Sequence, residues 1–373
     1  MQEENPILSK PKKLVEEFFS LAEEDSGRVV AELELDMQLV NAAGEVVKPR
    51  MVNGVKCNLR LAAVDGSRCP SPSIRVGVGA AVVTGGYMVA EGGSIIDSDY
   101  RAKTFVSKAS SRELKLATRV ATLSLERKMA LEALKWDPDF LIIDGSFFYP
   151  LSMAIYAQAP PYIKESVQEA HRDTSKLMES GKAVGVIKRS SLRAIEAELL
   201  LRGKVAPHQV RGLRDKFILD VLMPERSLVK YEDFTTENPV LPSLFLKTLA
   251  AGGGMDEALE KTRRQMMEVR RAQGIPDVEL KRSYVRAFAE PPPFEAEHPP
   301  NFDVEDFAAK IIPWCNEATG LPLLLDMLDQ DISVERGLMK AYVDEVHARA
   351  LDKTLKREAL KSLFKQLNPE KEF

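Results

Sequence analysis

The chain has 373 residues, 45% of them hydrophobic and 29% charged, which is the composition of an ordinary globular protein. Its 52 basic and 56 acidic residues leave a net charge of −4, so no overall basic field marks a nucleic-acid-binding protein, and an anionic partner must meet a local patch. Three scattered cysteines argue against a disulfide framework. No apolar run approaches the roughly 20 residues that span a bilayer, and no signal core opens the chain. We therefore expect a cytoplasmic protein without a membrane segment.

Residues 1–50 are predicted to form an N-terminal helical arm and a hairpin. Apolar residues within 12–24 recur at three- and four-residue steps, as in an amphipathic helix. Short apolar segments within 29–47 are broken by Asn41 and Gly44, which favours a hairpin or irregular strands. The helix is a candidate contact for a partner protein or a second copy, and packing within the chain is the alternative.

Residues 51–231 are predicted to form the core. A buried strand ends in Asp65-Gly66-Ser67, and two further strands, 74–83 and 87–96, are separated by a glycine pair suited to a hairpin turn. Ser110 can cap a long helix that delivers the chain to a strand ending in Asp144-Gly145-Ser146. The remaining segments of this core are predicted as helices at 151–159, 162–179 and 192–201 and a strand at 183–188. This order predicts an α/β protein with a mixed sheet, antiparallel at one edge, flanked by helices.

The C-terminal half changes in character. Residues 232–280 carry a glycine triplet ahead of a charged helix and predict a helical insertion. Residues 281–373 are predicted to complete the core with a strand at 283–289, a proline-rich extended connector, and terminal helices at 304–318 and 334–363.

The two Asp-Gly-Ser motifs are the main indication of function. Each follows a hydrophobic strand, so Asp65 and Asp144 would lie where the backbone leaves the sheet. One such motif alone is more readily explained as a structural turn, but two copies favour a site. Between them, Glu126 shares a helix face with Arg119 and Leu123. Burying a lone carboxylate costs several kcal/mol, so Glu126 needs a partner, which is either Arg119 or a metal ion.

Carboxylates without histidine or cysteine suit hard cations such as Mg²⁺ or Mn²⁺. Two such ions about 3.5–4 Å apart can hydrolyse phosphodiesters. Lys188, followed by Arg189, could hold the phosphate, and a solvated lysine at a strand end is the alternative. The histidines show no metal-ligand spacing and are predicted to be surface or satisfied residues, with His298 the one to compare with the site: they are His171, His208, His298 and His347. No P-loop motif occurs.

These motifs resemble those of the NurA family of DNA-repair nucleases. The resemblance rests on the Asp65 strand, on Leu125-Glu126, on the Asp144 strand and on residues 185–189, and it runs from about residue 55 to 350. It implies a ribonuclease-H-like core and a manganese-dependent deoxyribonuclease, with magnesium as a second possible metal and two ions in the site. It further implies 5′–3′ exonuclease and single-strand endonuclease activity, a homodimer with a central channel, and a hexameric HerA-type ATPase partner in double-strand-break end resection during homologous recombination.

By the same resemblance, Asp65, Glu126 and Asp144 are the metal ligands. Lys188, taken as a catalytic residue, and Asp215 fall where the family also tends to carry polar residues, and these two are weaker matches to the family pattern. Family members commonly carry a Gly-Tyr-Pro segment with a histidine a few residues later. Here the segment reads Gly320-Leu321-Pro322, with leucine in place of tyrosine, and Asp329 stands where the histidine is expected, as the fourth metal ligand and a catalytic residue. Expected DNA-binding residues are Arg68, Lys188 and Arg189.

Two other classes stay open at this point. Actin-like and sugar-kinase-like ATPases also hold magnesium phosphates on aspartate-glycine turns, although their two halves repeat the fold and these halves do not. A non-catalytic NurA-like channel subunit is the other, because Asp329 departs from the family pattern.

Overall fold

The structure is a computed structural model that describes residues 5–75, 78–108, 110–148, 151–235, 239–250, 252 and 254–353. Its helices are α1 Lys12–Val46, α2 Ser111–Leu134, α3 Met153–Gln158, α4 Pro161–Glu179, α5 Ala194–Leu201, α6 Asp215–Leu222, α7 Val240–Ala250, α8 Met255–Gln273, α9 Val304–Ile311, α10 Leu323–Ile332 and α11 Arg336–Lys353. Its strands are β1 Arg50–Met51, β2 Arg60–Arg68, β3 Ser73–Arg75, β4 Val78–Glu91, β5 Ser94–Ser107, β6 Phe140–Asp144, β7 Ala183–Ile187, β8 Ser227–Lys230, β9 Lys281–Arg286 and β10 Phe294–His298. Within these ranges, none of the helices has the length and apolar character needed to cross a membrane.

In the described ranges, ten strands form one mixed sheet in the order β1-β8-β9-β10-β7-β6-β2-β4-β5, with β3 beside the first part of β4. The pairs β2–β6 and β6–β7 are parallel, and the other pairs are antiparallel. Three antiparallel strands followed by two parallel ones, in the order β5-β4-β2-β6-β7, make a ribonuclease-H-like core. The predicted fold class is confirmed.

The central strands are buried on both faces, which explains why they read as continuous apolar runs. Leu61 and Ala63 of β2 pack with Ile142 of β6 in a core that α9 and α10 cover. Ala62 and Val64 belong to the opposite core, which α2 and α4 cover. Because side chains alternate along a strand, every second residue of β2 and β6 faces α10.

The helix predicted to follow Ser110 is confirmed as α2. The Ser110 hydroxyl accepts a hydrogen bond from the Glu113 backbone N–H at 3.2 Å and satisfies one of the free donors at the helix start. Met129, Ala130 and Ala133 are buried against the sheet. Their packing holds the face of α2 that carries Glu126 close to the ends of the central strands.

The predicted hairpin within residues 29–47 is wrong, because α1 continues as one helix to Val46. Leu39, Val40 and Ala43 are buried in the cluster formed with α5 and α6. This tertiary packing outweighs the weak helix preference of Asn41 and Gly44.

The predicted hairpin turn at the first glycine pair is also wrong, because β4 runs straight through it. A Cβ on Gly85 would lie 2.8 Å from Leu125 Cγ, and a Cβ on Gly86 would lie 2.9 Å from Tyr100 Cδ1. The pair therefore admits neighbouring side chains to the strand surface rather than making a turn. The turn comes at Gly92 and Gly93, which have φ of 58° and 86°.

Residues of the predicted extended connector form β10, which pairs with β7 and β9. The sequence also failed to indicate α6, β8 and α10. The predicted insertion contains the helices α7 and α8, while the four-part division of the chain stays a prediction. The helix predicted at 304–318 ends as α9 at Ile311 and is followed by a short 3₁₀ turn. The last predicted helix is confirmed as α11, and its part beyond residue 353 lies outside the described residues.

Candidate metal centre

Asp65, Asp144 and Lys188 meet at one end of the three parallel strands. Val64 pairs with Ile143 and Asp144 pairs with Val186, so β2, β6 and β7 finish close together. Strand alternation turns all three polar side chains toward α10. The Lys188 Nζ atom lies 3.4 Å from Asp144 Oδ2 and 3.2 Å from Oδ2 of Asp329, which α10 contributes. The predicted group of Asp65, Asp144, Lys188 and Asp329 is therefore brought together.

Asp65 is the most deeply buried of these acids, with 3% of its surface exposed. Burial raises the pKa of Asp65 to about 10; the carboxylates of Asp144 and Glu126 contribute, and Lys188 opposes the rise. Burial also raises the pKa of Asp144, although Lys188 and a hydrogen bond with the Asp65 side chain oppose it. The raised pKa values mean that these two neighbouring carboxyls resist losing both protons when no cation neutralises them.

Glu126 reaches the same strand ends from α2, on the opposite face of the sheet. A Cβ on Gly66 would lie 2.6 Å from Glu126 Cγ and 2.7 Å from its Oε1, so only glycine at position 66 leaves room for this carboxylate. The Glu126 side chain is 12% exposed. Burial raises the pKa of Glu126 to about 7, with Arg127 opposing the rise and Asp144 adding to it.

The two Asp-Gly pairs therefore use glycine for different reasons. Gly66 makes space for a neighbouring carboxylate, whereas Gly145 has φ of 90°, a conformation that favours glycine. Gly185 of β7 is needed as well, because a Cβ there would lie 2.5 Å from the Gly145 carbonyl oxygen. Asp144 is thus followed by a sharp backbone turn pressed against the neighbouring strand.

Two buried, oppositely charged side chains hold the segment after Asp144. Arg127 Nη2 donates to the backbone carbonyl oxygens of Ser146 and Phe147, at 2.9 and 3.1 Å. Glu297 Oε1 accepts from the Ser146 hydroxyl and from the Phe147 N–H, both at 2.6 Å. Arg282 pairs with the other oxygen of Glu297. We call Arg127 and Glu297 the loop clamp, and they fix the backbone that directs Asp144.

Arg127 also pairs with Glu126: its Nη1 atom lies 3.6 Å from Glu126 Oε2. The sequence had indicated Arg119 for this role. Arg119 lines a cavity of about 170 Å³ together with Arg68, Glu126 and Asp144. Positively charged arginines and negatively charged carboxylates thus line the same cavity. Arg189, the third predicted DNA-binding residue, is exposed just beyond β7.

The carboxylate oxygens of Asp65, Glu126 and Asp144 are the donors that a metal ion would use here. Across the residues that the structure describes, no three His, Cys, Asp or Glu side chains already stand in a metal-binding arrangement. Their oxygens are engaged by protein groups instead, such as the Gly66 N–H, which donates to Asp65 Oδ1 at 2.6 Å. The chemistry nevertheless fits a hard divalent cation. Three crowded carboxylates carry raised pKa values that such a cation would lower, and all donors are oxygens.

Asp215 does not join this group. It is fully buried, and its carboxylate accepts hydrogen bonds from the N–H groups of Ala194 and Ile195, both at 2.9 Å, and from the Tyr231 hydroxyl at 2.5 Å. Burial raises the pKa of Asp215 to about 6 despite these bonds. Its role is to hold the start of α5.

The histidines divide between surface and interior. His298 is buried, lies 3.1 Å through Nδ1 from the Pro299 carbonyl oxygen, and lines a different cavity, with Lys230 and Lys281. His171 is also buried, with Nδ1 3.0 Å from the Gln273 carbonyl oxygen. His208 is exposed, and the His347 side chain lies outside the described residues.

Sequence reasoning missed the loop clamp. A signal existed for Glu297, because Phe294 and Ala296 alternate with Glu295 and Glu297, the period of a strand. The neighbouring prolines concealed it. Arg127 carried no signal beyond its place next to Glu126.

The chain is similar to known proteins in both sequence and fold. A family model described as the NurA domain matches residues 59–334. The fold is similar to that of the NurA nuclease from Sulfolobus solfataricus, with 13% identity, 93% of this chain and 99% of that chain covered, and a TM-score of 0.60. It is also similar to a crystal structure of NurA with manganese, with 12% identity, 90% and 98% covered, and a TM-score of 0.52. No curated protein matches the chain.

Proposed function

The chain belongs to the NurA family, and on this premise we propose that it is a divalent-metal-dependent nuclease that hydrolyses phosphodiester bonds in DNA. One observation carries the proposal. Asp65, which is buried, and Glu126 and Asp144, which are partly buried, come together where the parallel strands β2 and β6 end, and all three have raised pKa values. A lysine and a cavity lined by arginines lie next to them.

In this proposal Asp65, Glu126 and Asp144 hold Mn²⁺, or Mg²⁺, and Asp329 is the fourth ligand. The manganese in the related NurA structure supports this choice. Two ions, when bound, supply an activated water and charge stabilisation on the leaving oxygen. Asp329 is 54% exposed on α10, so it can turn toward the site from the solvent side, and its carboxylate is as suited to a hard cation as the others.

The cationic side chains would position the DNA. Burial alone would lower the pKa of Lys188, but Asp144, Asp65 and Asp329 outweigh it and raise that pKa, so the ammonium stays charged at neutral pH. Lys188 then donates hydrogen bonds to the phosphate at the scissile bond. Arg68 and Arg119 line the adjoining cavity, and Arg189 is exposed just beyond β7. In this proposal all three contact neighbouring phosphates without regard to base sequence.

Family membership supports the finer parts of the proposal, which are 5′–3′ exonuclease and single-strand endonuclease activity, a homodimer, and a hexameric HerA-type ATPase partner in DNA double-strand-break end resection. The exposed part of α1 supports a protein partner. Phe18, Phe19, Val29 and Val30 are between 43% and 57% exposed, so this part of the helix is not packed within the described chain.

The test is cleavage of labelled linear and single-stranded DNA by the purified chain with Mn²⁺. We expect Asp144→Asn and Glu126→Gln to abolish cleavage while circular dichroism shows intact folding. Glu132→Gln is the matched control, because Glu132 lies on α2 as well but pairs at the surface with Lys135. Cleavage by both site variants at the rate of the control would overturn the proposal.

A further inference from the structure

The strand β5 forms an edge of the sheet. Within the described chain it pairs with β4 alone, along Ser94–Ser107. A strand of 14 residues presents about 46 Å of backbone at roughly 3.3 Å per residue. Its outer row of N–H and C=O groups is a template for pairing with another strand.

Charged residues alternate along the middle of this edge in a particular order. Asp97, Asp99, Arg101 and Lys103 occupy every second position and therefore share one face of the strand. The sign changes once, at Tyr100, from two negative to two positive residues. Asp99 and Arg101 are 44% and 50% exposed.

This order of charges is complementary to a second copy of the same strand in one arrangement of the two. If a second copy pairs antiparallel about a two-fold axis at Tyr100, Asp99 lies opposite Arg101 of the second copy, and Asp97 lies opposite Lys103. A shift of two residues would place Arg101 opposite Arg101, or Asp99 opposite Asp99. In-register parallel pairing would also bring like charges together. The charges therefore select both the direction and the register.

The same groups have partners within one chain, and these contacts are weak enough to be exchanged. Asp99 lies 3.3 Å from Arg101 at the surface and accepts a hydrogen bond from the Tyr100 N–H at 2.9 Å, and Lys103 lies 5.5 Å above the Phe105 ring. Asp97 accepts a hydrogen bond from the Tyr87 hydroxyl at 2.7 Å, which leaves its second oxygen for another donor. An edge protected against association carries repelling charges of one sign, whereas this edge carries both signs in mirror order.

We propose that β5 is the contact through which two copies of this chain join, antiparallel and centred on Tyr100, so that the two sheets become one. The inference rests on the homodimer proposed above and specifies where it forms. It does not depend on nuclease activity.

Charge reversal in two separate chains tests the proposal, with molar mass measured by light scattering over a range of concentrations. Asp99→Arg places positive residues opposite Arg101, and Arg101→Asp places negative residues opposite Asp99. We expect each variant alone to dimerise about tenfold more weakly than the unaltered chain, or worse. Mixing the two variants should restore dimers, because one chain is then positive at both positions and the other is negative. Glu132→Lys, an equal change of charge on α2, should leave the dimer intact.

The other outcomes distinguish a homodimer that forms through a different surface from the absence of a homodimer. If both variants remain dimers like the unaltered chain, the homodimer stands but its contact lies elsewhere. If the variants are monomers and their mixture is not restored, the charges do not meet across two chains and the proposal is overturned. If the unaltered chain is a monomer at every concentration, both the homodimer and this contact fail, while the DNA-cleavage assay still decides the nuclease.

Discussion

Replacing Glu126 with glutamine should stabilise the metal-free protein at pH 8. The raised pKa of Glu126 means that the folded protein favours the protonated carboxyl, which glutamine imitates in shape and charge. This preference for the protonated carboxyl contributes to the free energy of unfolding. The contribution is fully present below the unfolded pKa of 4.5 and is lost as the pH rises through about 7. Glu126→Gln should escape this loss.

The magnitude follows from the two pKa values. A rise from 4.5 to about 7 corresponds to about 3 kcal/mol, at about 1.4 kcal/mol per pH unit. Since the side chain is only 12% exposed, solvent screening reduces this little. We expect the variant to exceed the unaltered chain by about 2–3 kcal/mol at pH 8 and to match it near pH 5.

Urea unfolding in EDTA at both pH values measures the difference, with Glu132→Gln as the control. Added Mn²⁺ should reverse the order at pH 8, because a ligand that binds the folded state stabilises it and the variant lacks one carboxylate. A variant less stable than the unaltered chain in EDTA at pH 8, or one that gains equally from Mn²⁺, would refute the reasoning.

Three further predictions follow from the same geometry. Mn²⁺ should bind more tightly as the pH rises from 6 to 8, because binding displaces protons from carboxyls with raised pKa values. Calorimetry in two buffers should show this proton release. A Kd that does not change with pH would contradict the prediction. Ser146→Ala removes the hydroxyl that Glu297 of the loop clamp binds, and calorimetry should show Mn²⁺ binding about tenfold weaker. Ser166→Ala, which changes a partly buried serine of α4 that bonds within its own helix, should leave the Kd unchanged, and equal Kd values for the two variants would leave the clamp a purely structural feature. Lys188→Met should lower kcat about 100-fold in the DNA-cleavage assay while Mn²⁺ binds at least as tightly, and unchanged kcat would remove Lys188 from the reaction.

The sequence carried enough information to predict the acidic half of the site. Strands buried on both faces appear as apolar runs, and the acid that follows such a run lies at the strand end, as Asp144 does. The helix bearing Glu126 had a recognisable cap at Ser110 and a regular apolar stripe. These features are local, so local patterns were sufficient.

What the sequence did not show depends on contacts between distant segments. Gly85 and Gly86 resemble a turn until Leu125 and Tyr100 are seen to pack over them. Glu297 follows Ser146 by 151 residues, and only the pairing of β10 with β7 brings its side chain to the loop after Asp144. Such contacts are set by tertiary packing, which no single stretch of sequence records.

The most direct test of the metal centre is a crystal structure of the protein soaked in Mn²⁺, with anomalous diffraction locating the ions. We expect manganese to be bound by carboxylate oxygens of Asp65, Glu126 and Asp144, with Lys188 displaced from between Asp144 and Asp329. Crystals that hold manganese only elsewhere, with these three acids still hydrogen-bonded to the protein, would contradict it.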